Sequence, residues 1–290
     1  MKLLVTGAGG LLGRACVSLA SQKHDCVGLS REELDVTDRP AVQRAIERLQ
    51  PNAVLHCAAY TDVDGAERDP DRATEVNAVA TGWVARAARQ AGARMVYVST
   101  DYVFDGEKQT PYTEEDVPNP LSRYGLSKLE GERRVAELCP DNHLIVRSGW
   151  VYGAGKGFVD WVLGRLDRGE TLRVVNDQVG SPTWVGELAK ALLLLTEKPV
   201  WGTFHFVNKG ETHWLGVARV IAECLGVEHA PLEELSLADL ARPAPRPRYS
   251  ALDVTKFEDR TGERVAPWND AVASYLAALG RLPNLSVQTE

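Results

Sequence analysis

The chain opens on an apolar run, Leu3-Leu4-Val5, that passes through Thr6 into Gly7-Ala8-Gly9-Gly10-Leu11-Leu12-Gly13 and then into an amphipathic stretch. Few folds accept that order. Gly7, Gly10 and Gly13 stand three apart, which suits a tight turn after a strand, close approach of a pyrophosphate, and a helix start packed hard on a sheet. The helix N-terminus offers free N–H groups and a partial positive charge to phosphates. Gly7, Gly10, Leu11, Leu12 and Gly13 are therefore expected to line a bound dinucleotide. The pattern predicts an α/β fold that begins as a Rossmann-type βα unit.

The next stretches keep the rhythm. Residues 2–6, 26–29, 53–58, 95–99 and 144–148 read as short, nearly continuous apolar strands. Helical stretches at 11–21, 40–49, 70–91 and 124–138 separate them, the third ending at Gly92. Buried strands joined by helices predict a doubly wound parallel sheet covered on both faces. Past Gly153 the alternation loosens, with helices expected at 158–168, 185–195 and 215–225 and extended runs at 172–175 and 204–207. The expected division is a Rossmann part over 1–150 and a smaller substrate-binding lid over 151–290, the chain returning to the Rossmann part within that span. Residues 242–248 alternate Pro and Arg and read as an extended loop.

Composition narrows the class. Hydrophobic residues at 44% and charged residues at 25% suit a soluble globular protein. A net charge of -7, with no basic stripe, argues against nucleic acid and anionic membrane as partners. Residues 1–13 show neither the long apolar core nor the small-residue cleavage site of a secretory signal, so no leader is expected, and the apolar run 191–195 is far too short to span a bilayer. Five scattered cysteines without a CxxC pair, and histidines without ligand spacing, predict neither a disulfide framework nor a metal site, and fit a reducing cytoplasm.

Several positions carry chemistry. After the second strand, where many dinucleotide folds carry an acid for the ribose, stand Ser30 and Arg31; an Arg suits a 2′-phosphate, so NADP(H) is preferred and NAD(H) allowed. Asp35 and Val36 border the adenine, and the small Ala58-Ala59 with Tyr60 lie where a cofactor passes close. Tyr124 and Lys128 stand four apart on one helix face, after a strand that ends at Thr100. The pair alone recurs by chance; its place after that strand gives it meaning. A phenol is a poor acid–base group at neutral pH unless a cation favours its ionised form. Lys128 is assigned that task, Tyr124 the proton transfer and Thr100 a hydrogen bond to the developing oxyanion.

The chain resembles the extended short-chain dehydrogenase/reductase superfamily and, within it, the dTDP-4-dehydrorhamnose reductase family. The most specific matches are Ser99-Thr100-Asp101-Tyr102-Val103-Phe104-Asp105-Gly106 and Asn176-Asp177-Gln178-Val179-Gly180-Ser181-Pro182-Thr183. The resemblance implies reduction of the C4 ketone of dTDP-4-dehydro-L-rhamnose by NAD(P)H. It implies Tyr124 as proton donor, Lys128 as its partner, Thr100 as the hydroxyl that tunes the phenol, and Thr100, Asp101 and Trp150 as sugar contacts. On residue type Trp150 is equally a packing residue; Asn176 and Gln178 shape the substrate lid or merely a turn; Arg242, Arg246 and Arg248 pair with a diphosphate or stay solvated. Some family members form a magnesium-bridged dimer through glutamates. The helix after the glycine loop begins Gly13-Arg14-Ala15-Cys16 with no acid, although Glu187 stands where another such glutamate falls. A monomer or a homodimer without that bridge is the expectation. Two alternatives share the scaffold: another nucleotide-sugar epimerase or reductase, and a non-catalytic protein like the regulatory subunit of methionine adenosyltransferase.

Overall fold

The computed structural model describes residues 1–155 and 157–282. Lys156 and residues 283–290, all within the expected C-terminal part 151–290, lie outside the described residues. Five parallel strands come from the first half: β1 (Lys2–Thr6), β2 (Asp25–Leu29), β3 (Ala53–His56), β4 (Arg94–Thr100) and β5 (His143–Ser148). They lie in the order β2-β1-β3-β4-β5. The order reverses between β1 and β3, and in a sheet of this kind ligands settle at the carboxyl ends of the strands beside that reversal.

Helices cover both faces: α1 (Leu11–Ala20), α2 (Arg39–Leu49), α3 (Val63–Arg68), α4 (Pro70–Thr74), α5 (Thr81–Gln90) and α6 (Arg123–Leu138). Alternate strand residues feed two cores, as a pleated strand requires. Leu3, Val5, Leu55, Val96 and Leu144 pack towards α1. Leu4, Val54, Met95, Tyr97 and Ile145 pack towards α2 and α5. Leu3, Leu4, Leu55 and Leu144 are wholly buried, so truncating any of them to Ala costs about 2–5 kcal/mol.

The second half contains β6 (Val151–Tyr152), α7 (Phe158–Leu166), β7 (Leu172–Val175), β8 (Val179–Gly180), β9 (Thr183–Trp184), α8 (Val185–Glu197), β10 (Gly202–His205), β11 (Thr212–His213), α9 (Trp214–Cys224), β12 (Leu232–Leu235), α10 (Thr255–Thr261) and α11 (Trp268–Ala278). Here α8 packs on α1, and β10 joins β5 as the sixth parallel strand. The rest pairs in two-stranded ladders, β6 with β9, β7 with β12 and β8 with β11. A third core, including Val162, Leu172, Ile221 and Leu276, closes this region.

The expected single helix over 70–91 is interrupted. Glu75–Ala80 winds as a π-helix, and α3 precedes it where no helix was expected. The cause is Asn77, fully buried. Its side chain brackets the backbone of Tyr60, accepting from the amide at 2.8 Å and donating to the carbonyl at 2.9 Å. Its own carbonyl accepts from the Tyr97 and Thr81 hydroxyls at 3.1 and 2.9 Å. Those demands compete with the regular helical ladder and widen one turn.

Candidate functional site

The glycine loop is built for close approach. Gly7 has φ +68, and a Cβ there would stand 2.6 Å from the Ala58 amide nitrogen; one on Gly13 would stand 2.2 Å from the Gly7 carbonyl oxygen. Only the missing side chains let α1 start against the ends of β1 and β3. The result is a crevice of about 330 Å³ lined by Gly7, Gly9, Gly10, Arg31, Asp35, Val36, Ala58, Ala59 and Tyr60. Arg72, unforeseen in the sequence, adds a second guanidinium there and pairs with Glu75 at 2.6 Å. Asp35 is committed to Thr37, whose amide and hydroxyl donate to it at 2.9 and 2.7 Å. Ser30 stands beside Gly9, its Cβ 3.5 Å from where a side chain on Gly9 would begin, and its amide donates to Glu33 at 2.8 Å.

A second cavity of about 480 Å³ continues from the first, sharing Gly10, Cys57 and Ala59 with it. Leu11, Leu12 and Gly13 line it on one side; Thr100, Asp101, Tyr124, Lys128 and Trp150 line the other. Thr100 caps the short helical turn after β4, accepting from the Tyr102 amide at 3.1 Å, and donates to Asp101 at 3.0 Å. Ser122 caps α6 by accepting from Gly125 at 3.1 Å. Gly125 itself lies so close to the Tyr102 carbonyl that a Cβ would stand 2.1 Å from it. That contact presses the first turn of α6, carrying Tyr124, against the end of β4. Ser99 and Ser148 also line this cavity, and their buried hydroxyls have no partner among the described residues. Cradle, unpaired hydroxyls and paired guanidiniums together fit a dinucleotide whose polar end reaches this cavity.

The electrostatics differ from the sequence expectation in one respect. Burial holds the Tyr124 phenol above its ordinary range, the Thr100 hydroxyl pulls it back, and Asp101 and Tyr102 push it up again. Lys128 is not among the groups that shift it. The Lys128 ammonium donates to the Val98 carbonyl at 2.6 Å and lies 4.1 Å from the centre of the Tyr97 ring. Burial brings it down to about 7, with Glu132 one turn on acting the other way. Thr100 eases ionisation of the phenol, the part the resemblance implies for it. Asp101, also buried, is raised to about 6 even though Ser250 and Thr100 both bond it.

Beyond Trp150 lies a third crevice of about 500 Å³, lined by residues including Tyr102, Phe158, Trp161, Gln178, Trp214, Arg242 and Arg246. Trp150 adopts φ +51 and stacks on Trp214, with ring centres 3.5 Å apart and planes within 4°. A Cβ on Gly180 would stand 2.4 Å from the Trp150 ring, so the packing and lining roles coincide. Gln178 is buried and accepts from the Trp214 indole at 3.0 Å. Two of the expected residues already have partners within the chain. Asn176 turns away and donates to Glu234 at 2.7 Å, lining none of these crevices. The Arg246 fork is already taken, at 3.1 and 2.9 Å, by Asp64, so it braces the loop instead of offering a free clamp. Arg242 lines the crevice and is exposed; Arg248 is exposed and outside it. Glu187 accepts from Asn208. No part was foreseen in the sequence for Trp214, Ser250 or Asp64, because each acquires its part only through a contact with a distant segment.

Known proteins match the chain over nearly its whole length. The family model described as the RmlD substrate binding domain matches residues 1–281. A dTDP-4-dehydrorhamnose reductase of Streptomyces griseus is 40% identical over 284 residues, covering 95% of this chain and 93% of that protein. The crystal structure of a dTDP-4-dehydrorhamnose reductase from Clostridium acetobutylicum superposes with a TM-score of 0.92 at 38% identity, covering 97% of this chain and all of that one (100%). Another from Bacillus anthracis, solved in complex with NADP, gives 0.91 at 33% identity over 96% of this chain and 99% of that one. With its glycine cradle, its Thr–Tyr–Lys cavity and these relatives, the chain belongs to the dTDP-4-dehydrorhamnose reductase family of the extended short-chain dehydrogenases/reductases.

Proposed function

We propose that this protein reduces the C4 ketone of dTDP-4-dehydro-L-rhamnose to the alcohol, giving dTDP-L-rhamnose for cell-surface polysaccharide precursors. The observation that carries the reading is a run of three adjoining crevices, sharing Gly10, Cys57 and Ala59 at one junction and Tyr102 and Trp214 at the other, from the glycine cradle past Tyr124 and Thr100 to an aromatic and guanidinium-lined end. NADPH, or NADH, supplies the hydride when bound. Gly7, Gly10 and Gly13 seat the pyrophosphate and Arg31 faces the 2′-phosphate. Tyr124 passes its proton to the ketone oxygen, and Thr100 hydrogen-bonds the phenolate left behind. Lys128 holds the nicotinamide ribose from its seat at Val98. Asp101 and Trp150 hold the sugar; Gln178 and Arg242 face the nucleotide. In this division residues 1–150 hold the cofactor and residues after 151, apart from α8 and β10, cover the substrate. The protein works in the cytoplasm as a monomer or homodimer. No helix among the described residues is long and apolar enough to cross a membrane.

The decisive assay follows NADPH absorbance with dTDP-, UDP- and GDP-linked 4-keto-6-deoxy sugars in parallel. Stoichiometric oxidation, fastest with the dTDP sugar, supports the reading. A cofactor that stays bound and is not consumed would instead mark an epimerase.

A further inference from the structure

We propose that Ser250 is a positioning residue for this reduction, locking the Asp101 carboxylate so that it orients the Thr100 hydroxyl beside Tyr124. The inference rests on the reductase reading and deepens it. Ser250 lies 149 positions from Asp101 in the chain, yet its hydroxyl donates to Asp101 Oδ2 at 2.6 Å while Thr100 donates to Oδ1 at 3.0 Å. Both Ser250 and Asp101 are buried. On a further side the carboxyl packs on Gly149, where a Cβ would stand 2.5 Å from Asp101 Cγ. The carboxylate is thus held by two hydroxyls and a bare backbone, with little freedom to turn.

Ser250 is itself fixed from both sides. Its amide donates to Val179 at 2.8 Å, and the next residue, Ala251, accepts from the Tyr112 amide at 2.9 Å. Four residues upstream, Arg246 lines the nucleotide-side crevice and is held by Asp64. A short rigid path therefore leads from that crevice to the hydroxyl beside the reacting phenol. Thr100 has one proton to give. In the resting site Asp101 takes it; as Tyr124 gives up its own proton the Thr100 hydroxyl turns to the phenolate, and the Ser250 bond keeps the Asp101 carboxylate satisfied and in place. Binding of the remote nucleotide can thereby be expressed at the reacting centre, the kind of coupling that raises kcat and leaves KM alone.

The test compares Ser250→Ala, Asp101→Asn and the double variant with the wild type. Ser250→Ala is expected to lower kcat about tenfold, with KM for the dTDP sugar and the NADPH Kd within twofold. In the Asp101→Asn background the same change is expected to add less than twofold, because Ser250 acts only through that carboxylate. An unchanged kcat, or effects that multiply, overturns the proposal. A readout independent of the substrate is the ¹³C-carboxyl NMR titration of Asp101. Its neighbours are Thr100, Ser250, Tyr102 and Tyr124, with Arg242 and Arg246 beyond Tyr102. Losing a donor to the charged form moves the midpoint upward from about 6. A midpoint that stays put overturns the proposal even if the wild type proves inert towards every keto sugar, an outcome that would separately sink the reductase reading.

Discussion

Replacing Lys128 by Met should make the cofactor-free protein more stable and nearly inactive, and the stability gain should depend on pH in a defined direction. Lys128 is 2% exposed, and its one hydrogen bond is to the Val98 carbonyl. Burial lowers it from the ordinary 10.5 to about 7. At about 1.4 kcal/mol per pKa unit, keeping the ammonium charged inside the fold costs on the order of 5 kcal/mol relative to the unfolded chain. The folded value is the depressed one, so the unfolded chain binds the extra proton between pH 7 and 10.5. The cost is full below pH 7, falls as pH rises, and is gone above the unfolded value. Methionine keeps most of the stem's packing and carries no charge. Urea unfolding at pH 6 should therefore show the variant ahead by several kcal/mol, and at pH 9 by about 2 kcal/mol. In the same variant kcat and NADPH affinity should both fall, because the ammonium is assigned to the nicotinamide ribose. A variant no more stable than wild type at pH 6, or an advantage that does not shrink with pH, would refute the claim that the site holds this charge at the expense of the fold.

Tyr124→Phe should lower kcat by roughly 10²–10⁴-fold in the NADPH assay and leave the NADPH Kd, read by fluorescence, within twofold, since only the proton donor is lost. Gly13→Ala puts a methyl 2.2 Å from the Gly7 carbonyl; calorimetry should show NADPH binding reduced by an order of magnitude or more. Glu132→Gln strands the Arg147 guanidinium, whose partners at 2.9 and 2.7 Å are the two Glu132 oxygens. Breaking a buried pair of this kind should cost about 3–5 kcal/mol in urea unfolding. Gln178→Ala should raise KM for the dTDP sugar several-fold by releasing Trp214, whereas Asn176→Ala should leave it unchanged.

Much of this was readable from local pattern. β1 and β7 fall where the apolar runs predict them, because a buried parallel strand needs a continuous apolar stretch and little else. The glycine loop was readable for a similar reason: its geometry is set by what is missing at Gly7 and Gly13, and that is written in consecutive residues. The break at Glu75–Ala80 was not. Nothing within 70–91 says that the Asn77 carbonyl will be claimed by a tyrosine twenty positions on. A return of the chain to the Rossmann part was expected, but that β10 is the strand that pairs with β5, and that α10 and α11 form, depends on the same kind of distant partnership.

The site divides along this line. Residues that act through their own chemistry, such as Thr100, Tyr124 and Lys128, announce themselves by type and spacing, while residues that act by fixing another group do not. Lys128 illustrates both cases at once. Its spacing from Tyr124 on α6 correctly brings it into the cavity, yet spacing cannot tell that Val98 and Tyr97 will take its charge. Easing ionisation of the phenol rests on Thr100, as the resemblance implies, and the orientation of Thr100 in turn depends on Asp101 and Ser250. Arg246 shows the converse. A guanidinium in a Pro/Arg loop suggests a phosphate ligand until Asp64, 182 positions earlier, fills both prongs of its fork. The exposed Arg242, which lines the same crevice with no such partner among the described residues, is then the better candidate for the diphosphate.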